Sequence, residues 1–289
     1  MAVNLQTIKD IRNYIAGELS ELYDEGELRS ITNIIISSVF EMSSMSYLLK
    51  VEEEKAGRER IRTVMRFCRE LKTGKPLQYV LGDTKFYDCI IKVNRGVLIP
   101  RQETEELVDL IIKENSGFKG NLLDIGTGSG CIAVALSVNF PLSHITGIDI
   151  SGSAILNAKK NAEINNATVL FLKADLFKID PSEIKRVDII VSNPPYVRNS
   201  ERQHMKKNVL GFEPHKALFV PDNDPLIFYR AILNLARYIL NPGGAVYFEI
   251  NEAMGYPMHD LLVSFEYQKI KITKDINGKD RIMKGEKYD

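Results

Sequence analysis

The N-terminal quarter of the chain repeats apolar residues at helical spacing. Leu5, Ile8, Ile11, Ile15, Leu19 and Leu22 recur every three or four positions, which gathers them on one helical face. A second helix is predicted over residues 27–42 and a third over residues 58–71, where Ile61, Val64, Met65, Cys68 and Leu71 form the stripe. The third ends at Thr73-Gly74-Lys75-Pro76, a glycine-then-proline stop. Three such stripes predict a small helical bundle over residues 1–75, whose apolar positions carry no chemistry.

From Pro76 the pattern changes. "FYDCIIKV" is rich in aromatic and β-branched residues and runs into Asn94-Arg95-Gly96, a turn signal. Residues 81–99 therefore read as an extended or hairpin connector, within a linker assigned to residues 76–100. "PRQETEELVDLIIKE" then predicts a helix with Leu107, Leu110 and Ile111 facing inward.

After Gly120 short apolar runs alternate with amphipathic ones. Strands are predicted at 121–124, 144–149, 168–173, 187–192, 245–250 and 267–273, with helices at 131–139, 153–165, 225–240 and 253–265. A last strand, 280–284, is expected to run antiparallel. This alternation predicts an α/β domain over residues 101–289 with a mostly parallel, doubly wound, Rossmann-like sheet.

Composition narrows the picture. Of 289 residues 44% are hydrophobic and 26% charged, as in a soluble globular protein with a sizeable core. Lys plus Arg and Asp plus Glu both total 38, and a formal net charge of zero argues against a protein that coats nucleic acid. Charge from Lys9 onward interrupts any signal-peptide core, and no apolar run approaches the roughly 20 residues that span a bilayer. Cys68, Cys89 and Cys131 are scattered without a CxxC pair, and the four histidines show no ligand spacing. A cytoplasmic, metal-free monomer without membrane contact is expected.

Chemistry concentrates at the ends of the predicted strands. In "LLDIGTGSGCIAVAL" a strand meets a glycine loop and then a helix. Gly126, Gly128 and Gly130, with Thr127 and Ser129 between them, allow close backbone approach to a ligand at a helix N-terminus. A dinucleotide fingerprint would require glycine at Cys131. The next strand ends in Asp149, an acid placed to accept both hydroxyls of a ribose. "ADLF" follows the third strand. There Asp175 is a candidate partner for an adenine amino group, or a turn cap, and Leu176 or Phe177 a cover for the ring. An adenosine-containing cofactor is implied. The loop alone leaves nicotinamide cofactors open.

"VSNPPY" closes the fourth strand at the same rim. The side-chain oxygen of Asn193 and the carbonyl of Pro194 are two acceptors, stiffened by Pro194 and Pro195, and Tyr196 adds a ring beside them. Methyl transfer to a planar NH₂ nitrogen needs such positioning more than it needs an acid or a base. With the glycine loop upstream, S-adenosylmethionine fits better than a nicotinamide. The acceptor reads as an amide or an adenine amino group.

Together "LDIGTGSG", "GIDIS" and "VSNPPY" resemble class I S-adenosylmethionine-dependent methyltransferases that modify planar nitrogens. "GKPLQYVLGDTKFYD", "VLIPRQETEELV", "GFEPHKALF" and "NPGGAVYFEI" further resemble the peptide chain release factor glutamine methyltransferases, the PrmC/HemK family. The likeness spans roughly residues 74–285 and is weak in the N-terminal helices, although family members carry a helical N-terminal domain joined by a β-hairpin.

The resemblance implies methyl transfer to the glutamine of a Gly-Gly-Gln loop in class 1 release factors, with S-adenosylhomocysteine as product. Gly126, Thr127, Gly128, Ser129, Gly130, Asp149, Asp175, Leu176 and Asn193 would bind the cofactor. Asn193, Pro194, Pro195 and Tyr196 would grip the glutamine. Arg101 and Glu103 are expected at the pocket wall, Glu213 and Pro214 on a closing loop, and the N-terminal helices against the body of the release factor. Gln102 and Leu176 depart from the usual pattern. An adenine-amino methyltransferase of DNA or RNA and an inactive cofactor-binding scaffold are the alternatives. The former would need a basic stripe, whereas the N-terminal helices carry Glu18, Glu21, Asp24, Glu25 and Glu27.

Overall fold

The computed structural model describes residues 5–42 and 55–288. Helix α1 (Ile8–Leu19) starts where Thr7 and Asp10 cap each other: Asp10 N donates to the Thr7 hydroxyl at 3.2 Å and Thr7 N to the Asp10 carboxylate at 2.9 Å. The expected stripe holds from Ile8 to Leu19, all buried. Leu22 lies beyond the helix end and is 51% exposed, so it does not extend the stripe. Helix α2 (Glu25–Phe40) begins earlier than expected because Asp24 supplies an N-cap, and it ends at Glu41, which takes a left-handed φ of 54°. Helix α3 is Arg58–Lys72. Ile11, Ile15, Ile35, Ile36, Val64, Cys68 and Leu71 form the core of this bundle. The unit comprises residues 1–82 and a short segment, Lys207–Phe212, returned to it from later in the chain. Residues 43–54 of the region lie outside the described residues.

The second compact unit holds residues 83–206 and 213–289. It opens with a hairpin, β1 (Asp83–Phe86) and β2 (Cys89–Lys92), whose turn falls on Tyr87 and Asp88, and the expected turn at Asn94-Arg95-Gly96 follows it, closed by Val97 N donating to Asn94 O at 3.1 Å. Tyr87 and Asp88 both have positive φ, 41° and 62°, as two-residue hairpin turns require. The outer edge of β2 is closed by two side chains at the end of a later helix, Asn161 in its last turn and Asn165 as its C-cap. Asn165 exchanges hydrogen bonds with Ile90 N and O at 2.9 and 2.8 Å, and Asn161 does so with Lys92 at 2.8 and 3.0 Å. Two asparagines four residues apart thus stand in for a neighbouring strand.

Helix α4 (Gln102–Glu114) buries Thr104, Leu107, Val108 and Ile111, with Val108 inside rather than Leu110. The main sheet then builds from β3 (Asn121–Ile125), helix α5 (Cys131–Asn139), β4 (His144–Asp149), helix α6 (Gly152–Ile164), β5 (Val169–Lys173) and β6 (Val187–Ser192). Helix α7 (Ile227–Ile239), β7 (Leu240–Glu249), helix α8 (Gly255–Ser264), β8 (Tyr267–Lys274) and β9 (Asp280–Lys287) complete it. The seven strands lie in the order β8-β9-β7-β6-β3-β4-β5. β9 runs antiparallel to both neighbours, as expected of the final strand.

Strands β3 and β6 are buried almost throughout because helices cover both faces. On one side Ile125, Ile190 and Phe248 meet Tyr229, Ile232 and Leu233 of α7. The order of strands switches sides at β3: β4 and β5 are added on one flank and β6 on the other, all parallel, so the carboxyl ends of β3 and β6 form the crevice where doubly wound sheets bind ligands. Among the described residues no helix is long and apolar enough to cross a membrane.

Candidate active site

The crevice is set by register. Ile125 pairs with Ser192, and the Ser192 hydroxyl donates to Ile125 O at 2.6 Å, so Gly126 and Asn193 leave the sheet side by side. Ser192 also pairs with Phe248 of β7, which brings Glu249 level with Asn193. A cavity of about 340 Å³ opens there, within the usual range for a small-molecule site. Another concavity of about 320 Å³ lies at the opposite strand ends, beside Asn121, His144 and Val187, away from the glycine loop.

The glycine loop is shaped for a ligand. Gly126 and Gly128 have φ of 73° and 54°, values that disfavour any side chain. A Cβ on Gly126 would meet nothing within 4 Å, and on Gly128 only a carbonyl at 3.9 Å, so a methyl there would project into the cavity they line. Gly130 serves packing instead, since a Cβ would lie 2.8 Å from that of Ala158. Thr127 and Ser129 are buried, and the Thr127 hydroxyl donates to Asp124 at 2.5 Å. Asp124 has no exposed surface, and desolvation raises its carboxyl to about 7.

Asp149 ties the loop to its own strand. One carboxylate oxygen accepts Gly128 N at 2.9 Å and the other Ser151 N at 2.8 Å. Burial raises its pKa while these two donors pull it back. Asp175 and Leu176 line the same cavity. Asp175 also caps its turn, accepting Phe177 N at 3.0 Å. Ile150, Phe177 and Phe228 complete an apolar wall, the two rings meeting edge-on at 5.3 Å.

Asn193, Pro194 and Pro195 line the cavity, whereas Tyr196 turns its hydroxyl away to Glu249 Oε1 at 2.9 Å. The Asn193 amide nitrogen donates to the Thr104 hydroxyl at 3.0 Å, and that hydroxyl donates to Glu249 Oε2 at 2.6 Å. Glu249 is 1% exposed and Thr104 2%. Burial raises the Glu249 carboxyl, and the bonds from Thr104 and Tyr196 oppose the rise. Tyr229 anchors the backbone of Glu249, donating to its carbonyl at 2.8 Å.

Arg101 and Glu103 are not among the cavity-lining residues. Arg101 instead pairs with Glu213 at 2.6 Å, and Glu213 also accepts Ile99 N at 3.2 Å. Glu213 is buried and immediately precedes Pro214, His215, Lys216 and Ala217, all of which line the cavity. Arg101 thus holds the segment that leads into this part of the cavity wall. Sequence reasoning passed over Thr104, Glu249, Ile150 and Phe228. Glu249 carried a signal, a lone carboxylate ending the apolar run "AVYFEI", because carboxylates are rarely fully buried without partners.

What the site can do chemically is bind an adenosine-like ligand against Gly126, Gly128 and Asp149 and present acceptors to a planar nitrogen donor. Known proteins agree in kind. The methyltransferase small domain family matches residues 102–211. A methyltransferase from Pyrococcus furiosus shares the fold, with a TM-score of 0.51 at 18% identity over 70% of this chain and 90% of that one. A release factor glutamine methyltransferase of Flavobacterium psychrophilum is 41% identical over 283 residues, covering 96% of this chain and 98% of the relative. Its counterpart in Bacteroides thetaiotaomicron is 43% identical over 274 residues, covering 94% and 98%. With such likeness running nearly end to end, the chain belongs to the release factor glutamine methyltransferase family.

Proposed function

We propose that the protein transfers a methyl group from S-adenosylmethionine to the side-chain amide nitrogen of the glutamine in the Gly-Gly-Gln loop of class 1 release factors, acting in the cytoplasm as a monomer. The observation that carries this reading is the single cavity shared by Gly126, Gly128, Asp149 and the Asn193-Pro194-Pro195 segment. The open space beyond Gly126 and Gly128 supports a fit to the cofactor, with Asp149 toward its ribose hydroxyls and Ile150, Phe177 and Phe228 toward its adenine. When bound, S-adenosylmethionine supplies an electrophilic methyl group on a sulfonium.

The chain's own residues supply position. Asn193 Oδ1 and the Pro194 carbonyl accept the two amide hydrogens of the glutamine and hold its plane, leaving the nitrogen face open. Holding reactants in line is itself worth several powers of ten in rate. When the nitrogen takes the methyl group, the bonding pair of the broken S–CH₃ bond would stay on sulfur and the nitrogen would give one of its hydrogens to solvent as a proton. The loop at 214–217, moored through Glu213, closes the remaining wall. The N-terminal helices meet the body of the release factor.

The test is label transfer from methyl-labelled S-adenosylmethionine to release factor, duplex DNA and RNA offered separately. Label in the release factor alone is expected. Label in adenine of either nucleic acid, with none in the release factor, would transfer the same site geometry to the adenine-amino reading.

A further inference from the structure

A side-chain amide has two ends, and only one of them suits the acceptor role that Asn193 is given above. If Asn193 turned its NH₂ group into the cavity, it would face the NH₂ of its substrate donor to donor. Nothing within the "NPPY" segment sets this choice, since the cavity side is open and the amide can rotate about its last bond. The choice is made one and two residues further into the protein.

The Thr104 hydroxyl has a single hydrogen. It lies 2.6 Å from Glu249 Oε2, and a carboxylate only accepts, so the hydrogen points there. The hydroxyl is then left with lone pairs toward Asn193, 3.0 Å away, and the group it faces must be the NH₂. That end of the amide is therefore turned inward and the oxygen outward. The other oxygen of Glu249 takes the Tyr196 hydroxyl at 2.9 Å, which pins the far end of the same segment. Asn251 donates to Tyr196 O at 3.3 Å from the other side. Glu249 is itself fixed by Tyr229 on its carbonyl at 2.8 Å.

We infer that Glu249 and Thr104 are positioning residues that set the donor–acceptor polarity of the site, so that Asn193 offers an oxygen and the site selects an NH₂-bearing acceptor. This rests on the substrate role proposed for Asn193. Neither residue lines the cavity, so neither needs to touch cofactor or substrate. Glu249→Gln keeps the shape but cannot accept at both ends. Its NH₂ must face either Thr104, which reverses the order of donors and turns the Asn193 oxygen inward, or Tyr196, which loses the acceptor for its hydroxyl.

The experiment measures kcat, KM for intact release factor and Kd for S-adenosylmethionine in Thr104→Val, Thr104→Ser, Glu249→Gln and Asn193→Ala. Thr104→Val preserves side-chain shape without the hydroxyl. Its kcat should fall on the order of 10²-fold, as for a misplaced reacting group, with KM and the cofactor Kd within about twofold. Glu249→Gln should lose kcat too, but by less than Thr104→Val, because one of its two orientations leaves Thr104 an acceptor. Thr104→Ser, which restores the hydroxyl, should recover most of the rate lost in valine.

Three results would overturn the inference. If serine were as slow as valine while binding the cofactor normally, packing and not the hydroxyl would be responsible. If Thr104→Val and Glu249→Gln kept wild-type kcat while Asn193→Ala was inactive, the polarity network would be wrong and the role of Asn193 would stand. If Asn193→Ala itself kept wild-type kcat, the underlying reading would fail, and the network with it.

Discussion

Asn193, Gly128 and Asp124 show three ways in which one side chain, or its absence, governs this site. Asn193→Ala removes an acceptor without touching the cofactor pocket's glycine loop. Turnover should fall roughly 10²–10³-fold, the usual loss for one preorganised hydrogen-bonding group, while the Kd for S-adenosylmethionine measured by calorimetry stays put. Gly128→Ala should do the opposite. A φ of 54° strains any side chain by roughly 1 kcal/mol or more, and the added methyl enters the cavity, so cofactor affinity should drop about tenfold or further. Asp124 predicts a pH effect on stability. Its carboxyl titrates near 7 in the folded protein against 3.8 as reference, so between those values the native state holds a proton that the unfolded chain has lost. Stability therefore falls as pH rises from about 4 to 7 and levels off above, by at most roughly 4 kcal/mol from this group. Denaturant titrations across that window should show a shallower fall for Asp124→Asn. Asn193 and Gly128 were legible in the sequence because each sits just past a strand end, whereas the buried state of Asp124 shows only in the packed strand. Thr104 and Glu249 were not legible, because their meaning lies in contacts to partners 89 and 145 residues away.

At the scale of elements, the hairpin and its asparagine clamp decide how the segment before Arg101 is held. Asn161 is fully buried and serves Lys92 N, Lys92 O and Ser129 O together. Asn161→Ala would strand three backbone groups, one of them in the glycine loop. It should cost about 2–4 kcal/mol in urea unfolding, whereas Asn165→Ala, whose bonds to Ile90 are exposed, should cost under about 1 kcal/mol. Equal effects would mean that the clamp is not what secures the strand. Most element positions were readable from periodicity: every predicted strand of the sheet appears, because a sheet covered on both faces demands unbroken apolar runs. The turn at Asn94-Arg95-Gly96 was legible, but the hairpin turn before it was not, for a physical reason. Tyr87 and Asp88 adopt left-handed backbone without glycine, so composition gave no sign of it. The five-residue helix Leu77–Leu81 was missed because a single turn is too short to display a stripe.

For the whole molecule, the doubly wound order of strands and the zero net charge bear on what is methylated. Nucleic-acid binding would release counterions in proportion to the phosphates neutralised, and affinity would fall steeply with salt. A protein acceptor met by a chain of balanced charge predicts a shallow dependence of kcat/KM on salt concentration, which initial rates on release factor at two ionic strengths would show. If the N-terminal helices contact the body of the release factor, a short Gly-Gly-Gln peptide should react with a much higher KM than the intact protein. The most direct measurement is tandem mass spectrometry of release factor incubated with S-adenosylmethionine and this enzyme, with Asn193→Ala as the paired reaction. One added methyl on the side chain of the Gly-Gly-Gln glutamine, absent with the variant, is the predicted result. An unmodified glutamine, or a methyl on any other residue, would contradict the account.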